Sequence, residues 1–254
     1  MISRSLGQNL TNSIVQDLGV AIVTGTYSDQ NPFPVEAQLC RQYGASRTAL
    51  REAVKMLTAK GLLGARPRQG TWVQPESKWN LLDPDILGWL LERKFSPALL
   101  TEFTEVRLAI EPLAAALAAT AAGPAEKAAV RDAIERMRAA ERGEDDPLAS
   151  DIAFHVAVLR ASKNRFYAQL TELTTSALRF SIRTTNRYKG VKLASVADHK
   201  RVADAIVAGR PAAAAEAMRR MIQEALDLIV SHEAGTPARR RRSIARRART
   251  PAAA

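Results

Sequence analysis

The chain has 254 residues, 46% of them hydrophobic and 25% charged, which is enough apolar material for a core in each of two domains. Its Ala-rich run from Leu113 to Ala122 is too short to cross a bilayer, the opening MISRSLGQNLTNS lacks the apolar centre of a signal peptide, and a lone cysteine, Cys40, excludes an intramolecular disulfide; a cytoplasmic protein without a membrane partner is expected. The net charge of +11 is uneven: seven arginines lie between Arg239 and Arg249 without an acid, residues 1–75 carry eight basic against four acidic side chains, and the middle is close to neutral.

In chain order, Leu10, Ile14, Leu18 and Ile22 recur every four residues before Gly25, which describes one amphipathic helix. The stretch from Pro34 to Val73 then holds two short helical segments, a turn and a hairpin. Pro34 suits a first helical position, and the segment runs to Tyr43 with Val35 and Leu39 on one face. Gly44 and Ala45 make the turn, and Ser46 is placed to cap a second segment. There Leu50, Val54 and Leu57 mark the core face, while Arg47, Arg51 and Lys55 mark another. Gly61 closes it, and Leu62–Arg66 and Thr71–Val73 read as strands joined by a turn from Pro67 to Gly70. This is the order of a winged helix-turn-helix. Most cationic helix faces are merely solvated. Here a hairpin tipped with Arg68 follows, so guanidinium groups on two neighbouring elements can approach one duplex together.

The polar residues 74–80 mark a domain boundary, giving a first domain over 1–75 and a second over 80–234. From Leu81 to His232 the signals are helical. One helix begins near Pro84, and a second carries the stripe Val106, Ile110, Leu113 and Leu117 up to Gly123 and Pro124. A third has Val130, Ile134 and Met137, and Pro147 opens a fourth with Ile152, Val156 and Leu159. A long fifth starts about Arg165, with Phe166, Leu170, Leu173, Ala177 and Phe180 buried. Ser195 caps a sixth, and Pro211 opens a seventh that carries Met221 and Leu228. The fold class is mainly α: a winged helix-turn-helix followed by an antiparallel all-α bundle of six or seven helices. Residues 235–254 are low in complexity and expected to be disordered.

Asp151 and His155 stand four apart on the fourth helix, so they leave one face at neighbouring turns, and His199 sits on the sixth. An Asp and two His converging in a bundle can hold a divalent metal. Histidines satisfied by ordinary hydrogen bonds are the plainer reading. On the fifth helix Ser176, Arg179, Arg183 and Asn186 form a polar row that suits a polyhydroxylated acid, a dimer face or solvent alike.

The segment from Pro34 to Val73, with its P-x-E opening, S-R-T-x-L-R-E core and G-L-L…G-T-x-V wing, resembles the DNA-binding domain of GntR-type bacterial regulators. The resemblance implies operator contacts by Ser46, Arg47, Thr48 and Arg51 and a wing tip, Gln69 and Gly70, in the minor groove. Ala37 stands where one branch has a base-reading arginine, and that contact does not carry over. From Leu81 to about Ile229, VRLAIEPLAAALAA, D-I-A-F-H with S-K-N, D-H-K-R-V-A-D-A-I and A-x-E-A-M-R-R-M resemble the ligand-binding FCD domain of the FadR branch. That likeness implies a metal, zinc or nickel, on Asp151, His155 and His199, with Arg107 facing the same cavity; Arg183, from the polar row of the fifth helix, is expected as a further effector contact. Met221 replaces the branch's fourth ligand, a histidine, which leaves either three ligands completed by water and effector or a metal-free polar pocket.

The expectation is therefore a homodimeric repressor of a sugar-acid catabolic operon. It would bind a palindromic DNA operator and leave it on binding a small carboxylate effector, a galactonate-like aldonate or another small organic acid. A metal-dependent hydrolase or lyase would use the same three ligands, but no general base and no H-E-x-x-H accompany them. An architectural DNA binder working through the arginine tail would be insensitive to sequence and to small acids.

Overall fold

The computed structural model describes residues 2–28, 30–66, 70–93, 96–190 and 194–235. It is mainly α, with eleven α-helices and one two-stranded sheet among the described residues. These residues fall into two compact units: one holds those up to Ser96 together with Arg165–Phe180, the other those of Pro97–Asn164 and from Ser181 onward.

In the first unit α1 (Ile2–Val23) buries Ile14, Val15, Leu18 and Ile22 and packs against α3 (Arg47–Ala59). Between them α2 (Glu36–Tyr43) ends at Gly44, whose φ of 58° only glycine adopts without strain. Ser46 is extended and its Oγ accepts the Ala49 N–H at 3.2 Å, which starts α3 one residue later. The helix start at Pro34 is corrected: the Val35 N–H donates to Oε1 of Gln38 at 3.2 Å, Val35 stays extended and exposed, and Leu39 alone enters the core. Strand β1 (Leu63–Arg66) pairs antiparallel with β2 (Gly70–Val73), with Leu63 opposite Val73 and Arg66 opposite Gly70. Residues 67–69 of the turn, which include Arg68 and Gln69, lie outside the described residues, as does the tail 236–254.

A single 3-10 turn, Glu76–Lys78, leads to α4 (Pro84–Arg93), which packs on α1. Trp89 of α4 is buried, its indole N–H donates to Oε1 of Gln16 at 2.6 Å, and its ring occupies the place a side chain at Gly19 would take. Lys60, the C-cap of α3, donates to both carboxylate oxygens of Asp83 at 2.9 and 2.7 Å and to Asp85 at 2.8 Å. Asp83 Oδ1 also accepts the Asp85 N–H at 3.0 Å. The start of α4 is thereby fixed to the end of the second helix of the winged motif.

The long fifth helix of the sequence reading is two: α8 (Arg165–Gln169) and α9 (Thr171–Lys189). The Thr171 hydroxyl donates to the Ala168 carbonyl at 2.7 Å and the Leu170 N–H to Tyr167 at 3.1 Å, so local bonds replace the helical ladder there. Phe166, expected on the buried side, is 69% exposed.

The second unit is built from α5 (Pro97–Ala121), α6 (Pro124–Glu141), α7 (Pro147–Ala161), α10 (Val196–Val207), α11 (Pro211–Gly235) and the later residues of α9. α5 packs on α11 and α7, α6 on α7 and α10, and α10 on α11. The apolar stripe expected on α5 is corrected, since Val106 and Leu113 are exposed and Ile110 and Leu117 only half-buried. Its inward face carries Thr104, Arg107, Glu111, Ala114, Ala115 and Ala118, small side chains that let neighbouring helices approach and polar ones paired inside. No helix among the described residues is long and apolar enough to cross a membrane.

Candidate functional site

On α3 the residues Leu50, Ala53 and Leu57 turn inward, while Arg47, Thr48, Arg51 and Lys55 are exposed. The hydroxyl of Ser46 is engaged in capping, and Arg51 Nε donates to Oε2 of Glu36 at 3.1 Å. Gly70, at φ 82°, opens β2. The first unit thus presents a basic helical face.

In the second unit five buried side chains and one backbone carbonyl form one series. Arg107 Nε donates to Oε1 of Glu111 at 2.7 Å, one helical turn on. The other oxygen, Oε2, accepts from His155 Nδ1 at 2.6 Å. Nε2 of His155 lies 3.4 Å from Oδ1 of Asp151, the same oxygen that stands 3.1 Å from Nε2 of His199. Finally His199 Nδ1 donates to the Ser195 carbonyl at 2.8 Å. Phe154 is fully buried and meets both imidazoles edge-on, with ring centroids at 5.6 and 4.9 Å. One side of the series opens on a cavity of about 320 Å³ lined also by Ser181, Thr185, Asn186, Met221 and Glu224.

The charges follow from this packing. Burial alone would raise the Glu111 carboxyl, but the guanidinium of Arg107 and the imidazole of His155 hold it down to about 2. Burial likewise opposes ionisation of Asp151, and His199 and His155 together bring it below the ordinary carboxylate range. His155 goes the other way: burial disfavours its cation, yet the charge of Glu111 and the bonds to Asp151 and Glu111 outweigh that and raise it.

Residues 10–73 match the bacterial regulatory proteins of the gntR family, and residues 102–224 match the FCD domain. Over 200 residues the chain is 34% identical to the galactonate operon transcriptional repressor of Escherichia coli K12, covering 78% of this chain and 87% of that protein. The chain belongs to the GntR family. It is also 32% identical to YieP, an HTH-type transcriptional regulator of Escherichia coli K12, over 85% of this chain and 94% of that one. In fold it is similar to Lar, described as controlling expression of the Listeria monocytogenes agr system, with a TM-score of 0.55 at 16% identity, over 87% of this chain and 96% of that one.

A GntR protein is a DNA-binding transcription regulator, not an enzyme, and its helix-turn-helix binds DNA operators. Within the FCD match, the donor set fits a divalent metal. Ionised Glu111 and the Ser195 carbonyl can only accept, so both imidazoles carry their proton on Nδ1 and turn Nε2 toward Asp151. Two neutral imidazoles then turn lone pairs toward one carboxylate oxygen; the Arg107 guanidinium, with Nη2 3.4 Å from His155 Nε2, offsets this for His155, and a proton or a metal would offset it for both. The three candidate ligand atoms all lie within 4.8 Å of one another. Separations of 3.1 and 3.4 Å are those of donors sharing one tetrahedral ion, about 3.3 Å for bonds of 2.0–2.1 Å.

The structure brings Arg107, Asp151, His155 and His199 together. It does not bring Arg183 to them: that side chain is exposed and outside the cavity lining, because on α9 it lies away from the face that carries Ser181, Ile182 and Thr185. Ser181, Thr185 and Phe154 were missed in the sequence reading. Thr185, four residues after Ser181 on α9, was the available signal.

Proposed function

We propose that this GntR protein is a homodimeric repressor of the FadR branch that controls a sugar-acid catabolic operon. It leaves its operator when a galactonate-like aldonate enters the cavity of the second unit. The observation that carries the reading is the buried Asp151, His155 and His199 cluster, opening on a cavity whose other polar lining includes Ser181, Thr185, Asn186 and Ser195 with the carboxylates of Asp198 and Glu224. The likeness to the galactonate repressor supports the class of acid. A divalent metal, zinc or nickel, on these three residues offers open positions to a carboxylate and a neighbouring hydroxyl. Arg107 adds positive charge beside them. Ser181, Thr185 and Asn186 exchange hydrogen bonds with the remaining hydroxyls, which distinguishes a polyol acid from a short alkyl one.

DNA reading rests on residues 1–75, with Ser46, Arg47, Thr48, Arg51 and Gly70 as contacts. Effector binding and dimerisation rest on 80–234. Two winged motifs then read successive major grooves roughly 34 Å apart on a palindrome. Fluorescence anisotropy on the promoter DNA of the neighbouring operon tests the reading. D-galactonate added with zinc releases the protein, whereas release that does not differ between aldonates and acetate refutes it.

A further inference from the structure

We infer that Glu111 is the positioning residue that joins the anion-binding and metal-binding halves of the cavity, an inference that rests on the metal reading above. Glu111 is buried on α5 and spends one carboxylate oxygen on each half: Oε1 holds Arg107 Nε at 2.7 Å, and Oε2 takes His155 Nδ1 at 2.6 Å. Both partners are donors, so only a group with two acceptor atoms serves both at once. The first contact keeps the guanidinium extended along the helix at the cavity wall. The second fixes the His155 ring with Nε2 toward Asp151, as carboxylates beyond the ligands do in metal sites. His199 gets the same service from a backbone carbonyl, that of Ser195, which no side-chain change removes. Arg107 Nη2 also stands 3.5 and 3.4 Å from the two ring nitrogens of His155, but Arg107 is itself held by Glu111, so Glu111 is the side chain through which both contacts are set.

Cobalt(II) titration of the full chain, read by visible absorption, tests this assignment. The wild type gives ligand-field bands, and Glu111→Gln, which presents one acceptor and one donor, binds cobalt about 10- to 100-fold more weakly with shifted bands. Identical bands and affinity in the variant overturn the role of Glu111 while leaving the metal reading intact. A wild type without bands, by contrast, overturns the metal reading and this assignment together. Because Glu111→Gln can fail to fold, the second measurement uses the wild type: long-range proton–nitrogen correlation of the imidazoles in the zinc-loaded, ¹⁵N-labelled protein. Only three histidines contribute signals. A His155 ring protonated on Nδ1 and metal-bound through Nε2 is expected, and the opposite tautomer overturns the assignment.

Discussion

Arg51 Nε donates to Oε2 of Glu36 at 3.1 Å, so in the DNA-free protein a basic side chain of α3 is tethered to the first turn of α2. The pair is exposed and contributes less than about 1 kcal/mol to stability. Its consequence is for DNA reading, since the tether restrains a guanidinium beside the basic face proposed to meet the operator. Arg47→Ala and Arg51→Ala are each expected to lose roughly 5- to 150-fold in operator affinity relative to random DNA, matching 1–3 kcal/mol for a base contact. The fold should be retained. Unchanged discrimination at matched salt in either variant would show that α3 is not the reading helix.

The arginine tail calls for a different measurement. Seven arginines between Arg239 and Arg249 release counterions from phosphates without reading bases. Deleting the residues after Gly235 should lower the slope of log affinity against log salt by up to about 6, with little change in preference for the operator. Equal slopes in both proteins would make the tail a bystander.

Much of the winged motif was legible because its signals are local: the Ser46 cap, the Gly44 turn and the spacing of Leu50 and Leu57 depend on near neighbours. The α5 helix shows where that logic stops. Val106 and Leu113 face outward, while the inner face carries alanines with Thr104, Arg107 and Glu111; Thr104 and Arg107 find partners on α5 itself, and Glu111 also needs His155 of α7. The i, i+4 spacing of Asp151 and His155 was readable from one helix. The bond from Glu111 to His155 spans α5 and α7 and has no local signature.

Acid should act on the metal-free protein through Glu111. A carboxyl held down to about 2 in the fold stabilises it fully above its ordinary value of 4.5, and that stabilisation is lost as pH falls from there toward 2. It amounts to about 3 kcal/mol at roughly 1.4 kcal/mol per tenfold change in proton affinity. His155, raised in the fold, contributes below its ordinary 6.5 and ceases to as pH climbs through its folded value. Melting temperature should therefore peak between about pH 5 and 6.5, and Glu111→Gln should flatten the acid limb. Superimposable acid limbs in wild type and variant would assign the acid loss to other carboxylates.

A metal and the Arg107 guanidinium are separable as anchors of the effector. Met221, half-buried on α11 and lining the same cavity, offers only a thioether, a weak ligand for zinc, so on the proposed reading three ligands would hold the ion, and it should be lost in purification and regained on addition. Met221→His should restore a fourth imidazole and tighten zinc by at least about tenfold, read by competition with a chromophoric chelator. Calorimetry with D-galactonate then distinguishes the two anchors. If the metal accepts the carboxylate, chelation and His155→Ala each abolish measurable binding, and Arg107→Ala weakens it by about one or two orders of magnitude through the lost charge. Affinity unchanged by chelator and by His155→Ala would leave Arg107 as the anchor and the histidines as hydrogen-bonding groups. Affinity unchanged by Arg107→Ala as well would remove the cavity from effector binding altogether.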